Sequence, residues 1–426
     1  MNPMLDMRIL REDPDGVAVR LQRRDPSIDL GPLLEADDRR RALLRQVEDL
    51  RRKKNEGSEQ VGRLQAEGRA QEAEAAVEQM RQTASELKGA EQKLATVESQ
   101  VQKLLLALPN IPLDEVPDGE EDEKVVLRTW GEPRPADFEP RHHVDLARQL
   151  GLLDMERGAS LAGSRFPLYT GTGAMLEMAL VMWMFDFQVR EHGYTALLPP
   201  FLANSTSMQV SGQIPKFEDD LYYCERDGLY LIPTAESLLV NLHRGEIISA
   251  DDLPLRYAAY TPCFRREAGS YGEEQRGLIR VHQFNKVELF HYEVPERSSE
   301  ALSDLLYHAE RVLQELGLHY RVTLLTAQDL AQQAAKTVDL EVWLPGQGRY
   351  YEVSSCSDCG TFQARRGNIR YRVASGGKPR FVSTLNGSGL ATSRLFAALL
   401  EQGQREDGTV ELPSVMQERL GREAIE

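Results

Sequence analysis

The chain has 426 residues, of which 41% are apolar and 28% charged, and a formal net charge of −16. These are the proportions of an ordinary soluble protein, long enough for two or three domains and a well-buried catalytic core. The acidic balance argues against a nonspecific nucleic-acid binder, while leaving room for a specific one with locally concentrated charge. The opening stretch MNPMLDMRILREDPDG has no apolar core and is interrupted by Asp6 and Arg8, so no signal peptide is expected. The most apolar run, 179–189, is short and contains Asp186, so no membrane span is expected. Four cysteines in a chain of this length point to a reducing compartment, and a cytoplasmic protein is expected.

Residues 1–29 read as a small helical lead-in with turn signals at Asp13-Pro14-Asp15 and Asp25-Pro26. From Arg39 to about Leu108 there is no proline and the pattern is heptad-like. Leu87, Ala90, Leu94, Val97, Val101, Leu104 and Leu108 keep a regular 3-4 spacing. Leu43, Val47, Leu50, Lys54, Gly57, Val61 and Leu64 keep the same spacing with two weak positions. Ala66-Glu67-Gly68-Arg69 between them permits a reversal, which predicts two long helices in an antiparallel coiled-coil hairpin. At about 1.5 Å per residue, such helices reach on the order of 50 Å from their base.

The first of these helices carries Arg39, Arg40, Arg41, Arg45, Arg51, Arg52, Lys53 and Lys54, opposed within that stretch only by Glu48 and Asp49, eight charges against two for a net +6. A solvated face laced with ion pairs would account for this run. So would a lever laying positive charge along a phosphate backbone.

Pro109 ends the coiled coil, and the proline-rich, acidic residues 109–140 read as a linker. Beyond them, 172–192 is apolar and free of proline and predicts a long buried helix. Strands are predicted at 229–232, 256–265, 279–292, 320–325, 339–344, 349–353 and 381–385. Short glycine turns such as Pro345-Gly346-Gln347-Gly348 join several of them, which indicates antiparallel pairing. No GxGxxG or GxxxxGK[ST] motif occurs, so a nucleotide would have to bind on an antiparallel sheet.

The stretch from Phe264 to Glu288, FRREAGSYGEEQRGLIRVHQFNKVE, reads as two strands joined by a loop with Gly269, Gly272 and Gly277. Alternation puts Arg265 with Glu267 on one face, and His282, Phe284, Lys286 and Glu288 together on theirs. A pleated face bearing an arginine, carboxylates and one aromatic ring suits a flat, anionic, polar ligand better than a core. Thr234-Ala235-Glu236 follows a strand and precedes a helix-like run. Glu352-Val353-Ser354-Ser355 ends another strand, and Phe362-Gln363-Ala364-Arg365-Arg366 reads as a basic strand or loop. Asn386-Gly387-Ser388-Gly389 leads into a helix bearing Arg394. Singly, each has a bland reading: TAE as a helix cap with an acidic first turn, NGSG as a plain turn, FRRE as part of a surface ion-pair ladder.

In this order they resemble the bacterial seryl-tRNA synthetases, of the class II aminoacyl-tRNA synthetase family, over nearly the whole chain. Residues 190–200 look like that family's motif 1, 264–288 its motif 2 and 386–394 its motif 3. The strings FRREAGS, GLIRVHQFNKVE, SSCSDC, FQARR and TLNGSGLA carry the likeness. The implied fold is α+β: an antiparallel-sheet class II catalytic domain at 141–426, preceded by a helical coiled-coil arm at 1–108 and a linker at 109–140. The implied activity is serine–tRNA ligation through seryl-adenylate, with ATP as substrate, Mg2+ as cofactor and tRNA(Ser), and tRNA(Sec) where it exists, as acceptor. The resemblance also implies a homodimer formed through motif 1.

Roles carry over residue by residue. Arg265 would bridge the serine carboxylate and the α-phosphate, and Arg394 would hold the γ-phosphate end. Phe284 would stack on adenine with Glu267 near its amino group, and Arg266, Val281, Val353 and Ser354 would complete the ATP site. Glu352 and Ser355 match the magnesium-binding positions. Serine would be read by Thr234, Ala235, Glu236, Glu288 and Ser388 beside Arg265. A site built to pair with a hydroxyl rejects the analogue lacking it by roughly 10⁴–10⁵, so no editing domain is required. The likeness also turns the reading of Arg39, Arg40, Arg45, Arg51, Arg52, Lys53 and Lys54 towards tRNA contact, by backbone and shape.

The chain departs from the pattern at Ser393, where motif 3 commonly has glycine before its arginine, which puts fine positioning of the phosphate site in question. Ser237-Leu238 replaces the usual Val-Pro after TAE, and the tail PSVMQERLG lacks a common Pro-Tyr-Met-Gly run. The CxxC at Cys356 and Cys359 suggests zinc in isolation, but lies within SSCSDC, which relatives carry without metal. His282 reads as a structural hydrogen-bonding group rather than an acid or base. A carrier-protein-directed relative would lack the basic arm, and a non-catalytic paralogue would have lost Arg265, Glu267, Glu288 and Arg394. All of these features are present.

Overall fold

The computed structural model describes residues 7–134, 137–268, 276–373 and 376–426. Two compact units divide them, one holding Ser27–Leu108 and the helices before Arg23, the other Arg23–Pro26 and Pro109–Glu426.

The first unit is helical. After short helices at Met7–Glu12 and Pro14–Gln22 come α1 (Gly31–Ala66) and α2 (Ala70–Ala107). The turn between α1 and α2 passes through Gly68 at φ +72°, a conformation glycine adopts without Cβ strain. Val47 and Leu50 of α1 pack against Leu87 and Ala90 of α2, on the predicted heptad positions. The pattern slips at the end of α2. Leu105 is buried and Leu104 only half-buried, because the step from Val101 is four residues rather than three. α1 also starts earlier than the proline-free stretch suggested, since Pro32 sits in its first turn, where proline is tolerated. Asp37 is buried between Arg40, at 2.8 Å, and Arg11, at 3.4 Å.

The second unit is built on an eight-stranded sheet. Its strands in chain order are β1 (Val125–Trp130), β2 (Thr195–Leu197), β3 (Leu255–Phe264), β4 (Gln283–Glu293), β5 (Tyr320–Leu324), β6 (Lys336–Leu344), β7 (Arg349–Asp358) and β8 (Ser383–Ala391). They lie in the spatial order β1-β5-β6-β7-β8-β4-β3-β2. All neighbours are antiparallel, as the short turns predict, except β2 against β3, which is parallel. A second parallel pair joins Ile247–Ser249 to Arg370–Arg372 outside the main sheet. The stretch expected as a linker contributes β1, and its Val116 packs with Leu325, Ala327 and Leu330.

Three helices, α3 (Gly171–His192), α4 (Ser298–Glu315) and α5 (Thr392–Gly403), share one core with the sheet. Leu180, Met184, Leu305, Val312, Leu395 and Leu399 pack there with Val287, Leu289, Val338 and Leu340. On β4, alternation then turns Phe284, Lys286 and Glu288 to the other face. Two local expectations change. Phe362–Gly367 is a helix ended by Asn368 in the left-handed region, rather than a strand or loop. Asn386-Gly387-Ser388-Gly389 lies within β8 rather than in a turn, since bare Gly387 lets the strand approach Cys356, whose Sγ a Cβ would meet at 2.9 Å.

Candidate active site

The β3–β4 hairpin sets the frame, with Cys263 opposite Phe284, Thr261 opposite Lys286 and Ala259 opposite Glu288. Arg265 and Glu267 lie just beyond β3, so a turn rather than the pleat places them. The Arg265 N–H donates to the His282 carbonyl at 2.9 Å, and His282 Nδ1 donates to the Arg265 carbonyl at 2.9 Å, a structural role for the histidine. The Arg265 guanidinium stands 5.2 Å over the Phe284 ring. Glu267, at φ +52°, pairs with Arg280 at 2.7 Å. Gly269 and Gly272 lie outside the described residues. Gly277 rests on the His143 ring, where a Cβ would come within 2.5 Å of Nε2. The next residue, Leu278, donates its N–H to that Nε2 at 3.2 Å, which leaves Nδ1 to donate to the buried Glu401 at 2.8 Å.

Thr234, Glu236, Arg265, Glu267, Glu288, Glu352, Ser355 and Ser388 line a single cavity of about 500 Å³. Arg265, Glu267, Glu352 and Ser388 also line a neighbouring recess with Val281, Phe284, Val353 and Arg394. Three expected residues stand outside both linings. Ala235 packs into a buried apolar cluster, Arg266 donates to the Asp219 carbonyl on the surface, and Ser354 donates to the Ser388 carbonyl at 2.6 Å. The Ser354 result follows from a register break in β7. Glu341 pairs with Glu352 but the next residue back, Leu340, pairs with Ser354, so Val353 is extra. A bulge of this kind puts Glu352 and Ser355 on one face although they are three apart, and turns Ser354 away.

The floor of the cavity is polar and buried. Thr234 Oγ1 donates to Glu288 at 3.0 Å, and Lys286 Nζ lies 2.8 Å from Thr234 Oγ1 and 2.5 Å from Glu288. Glu236 accepts from Gln363 Nε2 at 2.6 Å and from Gln333 Nε2 at 3.0 Å. Its carboxyl is pushed up to about 7 by burial and by the charge of Glu288, against the pull of Gln363, Lys286 and Gln333. Gln363 is set in turn by Thr384, which donates to its Oε1 at 2.7 Å. The segment bearing Gln333 is fixed by Arg24, whose guanidinium donates to the carbonyls of Leu330, Ala331 and Ala334.

At the other end, Arg394 donates through Nε to the Ile279 carbonyl at 3.0 Å and through Nη1 to the Glu352 carbonyl at 2.7 Å and carboxylate at 3.0 Å. Ser393 is buried and lines the same recess, and its hydroxymethyl does not displace these bonds. Burial works to raise the Glu352 carboxyl, but Arg394 and Arg265 together hold it below the usual range. Asp339, opposite Ser355 on β6, is raised well above that range by burial and by Glu352, and its Oδ1 has no hydrogen-bond partner among the described residues. Asp329 is raised to about 6 by burial and by Glu121.

Lys286, Gln333, Asp339 and Gln363 were missed as site residues by sequence reasoning. Lys286 belongs to the noted alternating series and Gln363 to the FQARR string, so both had a signal. Gln333 and Asp339 reach the site only through tertiary pairing. Cys356 and Cys359 are buried thiols pushed upward by that burial, Cys356 to about 12. In the helical unit, Arg40, Arg51 and Arg52 pair with Asp37, Glu91 and Asp49, while Arg39, Arg45, Lys53 and Lys54 are in no ion pair among the described residues. No helix of the described residues is long and apolar enough to cross a membrane.

A largely antiparallel sheet with Arg265 just beyond β3 of the β3–β4 hairpin and Arg394 on the helix that follows β8 is the arrangement expected of a class II tRNA synthetase core. Residues 217–403 match the family model "tRNA synthetase class II core domain (G, H, P, S and T)", and residues 4–112 match "Seryl-tRNA synthetase N-terminal domain". The chain is 49% identical to a serine–tRNA ligase of Geobacter sp. (strain M21), over 98% of this chain and 99% of that one. It is 51% identical to a serine–tRNA ligase of Acidithiobacillus ferrooxidans (strain ATCC 53993 / BNL-5-31), covering 98% of both. A crystal structure of seryl-tRNA synthetase from Pyrococcus horikoshii complexed with ATP superposes with a TM-score of 0.92 at 36% identity, covering 99% of each chain. The chain belongs to the seryl-tRNA synthetase family.

Proposed function

We propose that this chain is a serine–tRNA ligase that joins L-serine and ATP into seryl-adenylate, releases diphosphate, and passes the seryl group to tRNA(Ser) and, where it exists, to tRNA(Sec). The observation that carries the reading is the convergence of Thr234, Glu236, Arg265, Glu288 and Glu352 on one cavity, with Arg394 in the adjoining recess. A carboxylate is already an anionic nucleophile, so the barrier lies in alignment and in charge on the phosphorus oxygens. One serine oxygen bonds to the α-phosphorus as its bond to the bridging oxygen of diphosphate breaks. Arg265 holds the carboxylate and α-phosphate together, and Arg394 holds the γ-phosphate end. Phe284 stacks on adenine with Glu267 near its amino group. Thr234, Glu236, Glu288 and Ser388 read the ammonium and hydroxyl of serine.

The residues present fit a divalent cation. Glu352, Ser355 and Asp339 offer only oxygen donors, and the buried Asp339 Oδ1 has no partner of its own among the described residues. A magnesium ion held by Glu352 and Ser355 would supply positive charge against the triphosphate. The arm within residues 1–108 is the tRNA-binding element of this reading, with residues 141–426 as catalytic domain and 109–140 joining them. Exposed Arg39, Arg45, Lys53 and Lys54, in no ion pair among the described residues, support contact with a phosphate backbone. Exposed Met175, Met178 and Met182, at helical spacing on α3, with Leu198 and Phe201 beyond it, support a homodimer through this face. A cytoplasmic location is part of the same reading. Serine-dependent exchange of diphosphate into ATP, assayed across several amino acids, tests it. Absence of exchange with any of them would leave only a non-catalytic role.

A further inference from the structure

Lys286 is a buried ammonium in the middle of the cavity, and the reading above gives it no task. Its Nζ occupies the acceptors that a serine ammonium needs, Glu288 at 2.5 Å and Thr234 Oγ1 at 2.8 Å. The residue is 6% exposed, so the pair is largely shielded from bulk solvent. Lys286 also lines the recess that holds Phe284 and Arg394, and its charge bears on both Glu236 and Glu352. It therefore stands between the two substrate ends with anionic groups on either side.

From this placement we propose that Lys286 is a positioning residue that couples the two substrates. Paired with Glu288 and Thr234, its ammonium fills the position read for the serine ammonium, and nucleotide phosphate draws it away. The inference rests on the serine and ATP reading of this cavity. Two ammonium groups cannot share Glu288 and Thr234 without strong repulsion at so short a distance inside a protein. Serine binding alone must therefore displace Lys286 from a good pair. Lysine's flexible stem and point charge allow the head to turn without moving β4. The triphosphate offers the new partner, and Glu288 and Thr234 are then free for serine. By linkage, serine must strengthen nucleotide binding by the same factor.

The test is calorimetric titration of the full-length protein with L-serine, with and without a saturating non-hydrolysable ATP analogue and magnesium. The expected result is serine binding about 5- to 150-fold tighter with the analogue present. In Lys286→Met, serine alone binds at least as tightly as it does to the parent, and the analogue adds less than about 2-fold. A fold lost for want of the lysine would weaken serine binding in both conditions, whereas the proposal strengthens it in one. The reciprocal titration of the parent, analogue into protein with and without serine, needs no variant and must give the same factor. Equal serine affinity with and without the analogue in the parent, or unchanged coupling in Lys286→Met, overturns the proposal. Failure of the parent to bind serine under any condition instead overturns the serine reading on which it rests.

Discussion

Glu236 offers the most direct test of how the cavity recognises serine. A carboxyl displaced from 4.5 to about 7 is disfavoured as an anion by roughly 3 kcal/mol. Below pH 4.5 it is protonated in the folded and the unfolded chain alike, and no difference arises. As pH rises towards 7 the unfolded chain ionises first, so the free fold loses stability, and the full penalty of about 3 kcal/mol is present above pH 7. On the serine reading the ligand's ammonium bonds Glu236 directly, as the Lys286 head does not, and removes up to that penalty. Two results are expected. In the diphosphate-exchange assay at saturating ATP, kcat/KM for serine falls up to about tenfold per pH unit below pH 7, a range where serine's own amino group stays protonated. The rise in Tm on adding serine grows between pH 5 and 7.5. Glu236→Gln removes the inflection and lowers kcat/KM for serine roughly 10- to 100-fold, the worth of one charge-assisted hydrogen bond. A flat profile from pH 5.5 to 7.5 in the parent, or the same inflection in Glu236→Gln, refutes the reasoning.

Replacing Arg51, Arg52, Lys53 and Lys54 by alanine removes only exposed pairs worth at most about 1 kcal/mol each. It should leave diphosphate exchange unchanged, weaken tRNA charging and flatten the log-log salt dependence of tRNA binding by up to about 3, and unchanged charging would exclude the arm as the RNA contact. Arg394→Ala removes the donor to the Ile279 and Glu352 carbonyls. Exchange should fall roughly 10²–10³-fold at fixed ATP, and loss confined to tRNA transfer would count against a phosphate role. Glu401→Ala leaves His143 Nδ1 and the Gly346 N–H without their acceptor, at a cost of about 3 kcal/mol or more read as a lowered urea midpoint.

What could be read from the sequence follows the range of the forces involved. The coiled-coil hairpin was legible because heptad spacing and one glycine are local signals, and Val47, Leu50, Leu87 and Ala90 meet where the spacing puts them. The β3–β4 hairpin was legible for the same reason, with Phe284, Lys286 and Glu288 in strict alternation. The bulge at Val353 was not, because it is a property of how β7 pairs with β6, and Ser354 was assigned to the ligand side when it faces away. Gln333 and Asp339 were invisible as site residues, each being brought in by a strand or segment distant in the chain. The β1 strand was hidden by the prolines and acids around it. FQARR was read by its charge, while its working residue is the glutamine that holds Glu236.

The charge balance of the cavity bears on how the two proposed substrates would bind together. Eight acids, Glu121, Asp220, Glu236, Glu267, Glu288, Asp329, Asp339 and Glu352, line the cavity and its recess with five cations, Lys124, Arg265, Arg280, Lys286 and Arg394. The deficit of positive charge is concentrated at two places, Glu236 on one side and Asp339 with Asp329 on the other, where carboxyls are pushed upward. The proposed ligands bring positive charge to those places, the serine ammonium to the first and magnesium to the second. In the same reading the triphosphate brings negative charge that Arg265, Arg394 and Lys286 would receive. A site left out of balance in this way gains more from the second ligand than from the first. It also discriminates against an amino acid whose polar group cannot complete the pairing, because the buried carboxylates would remain without partners.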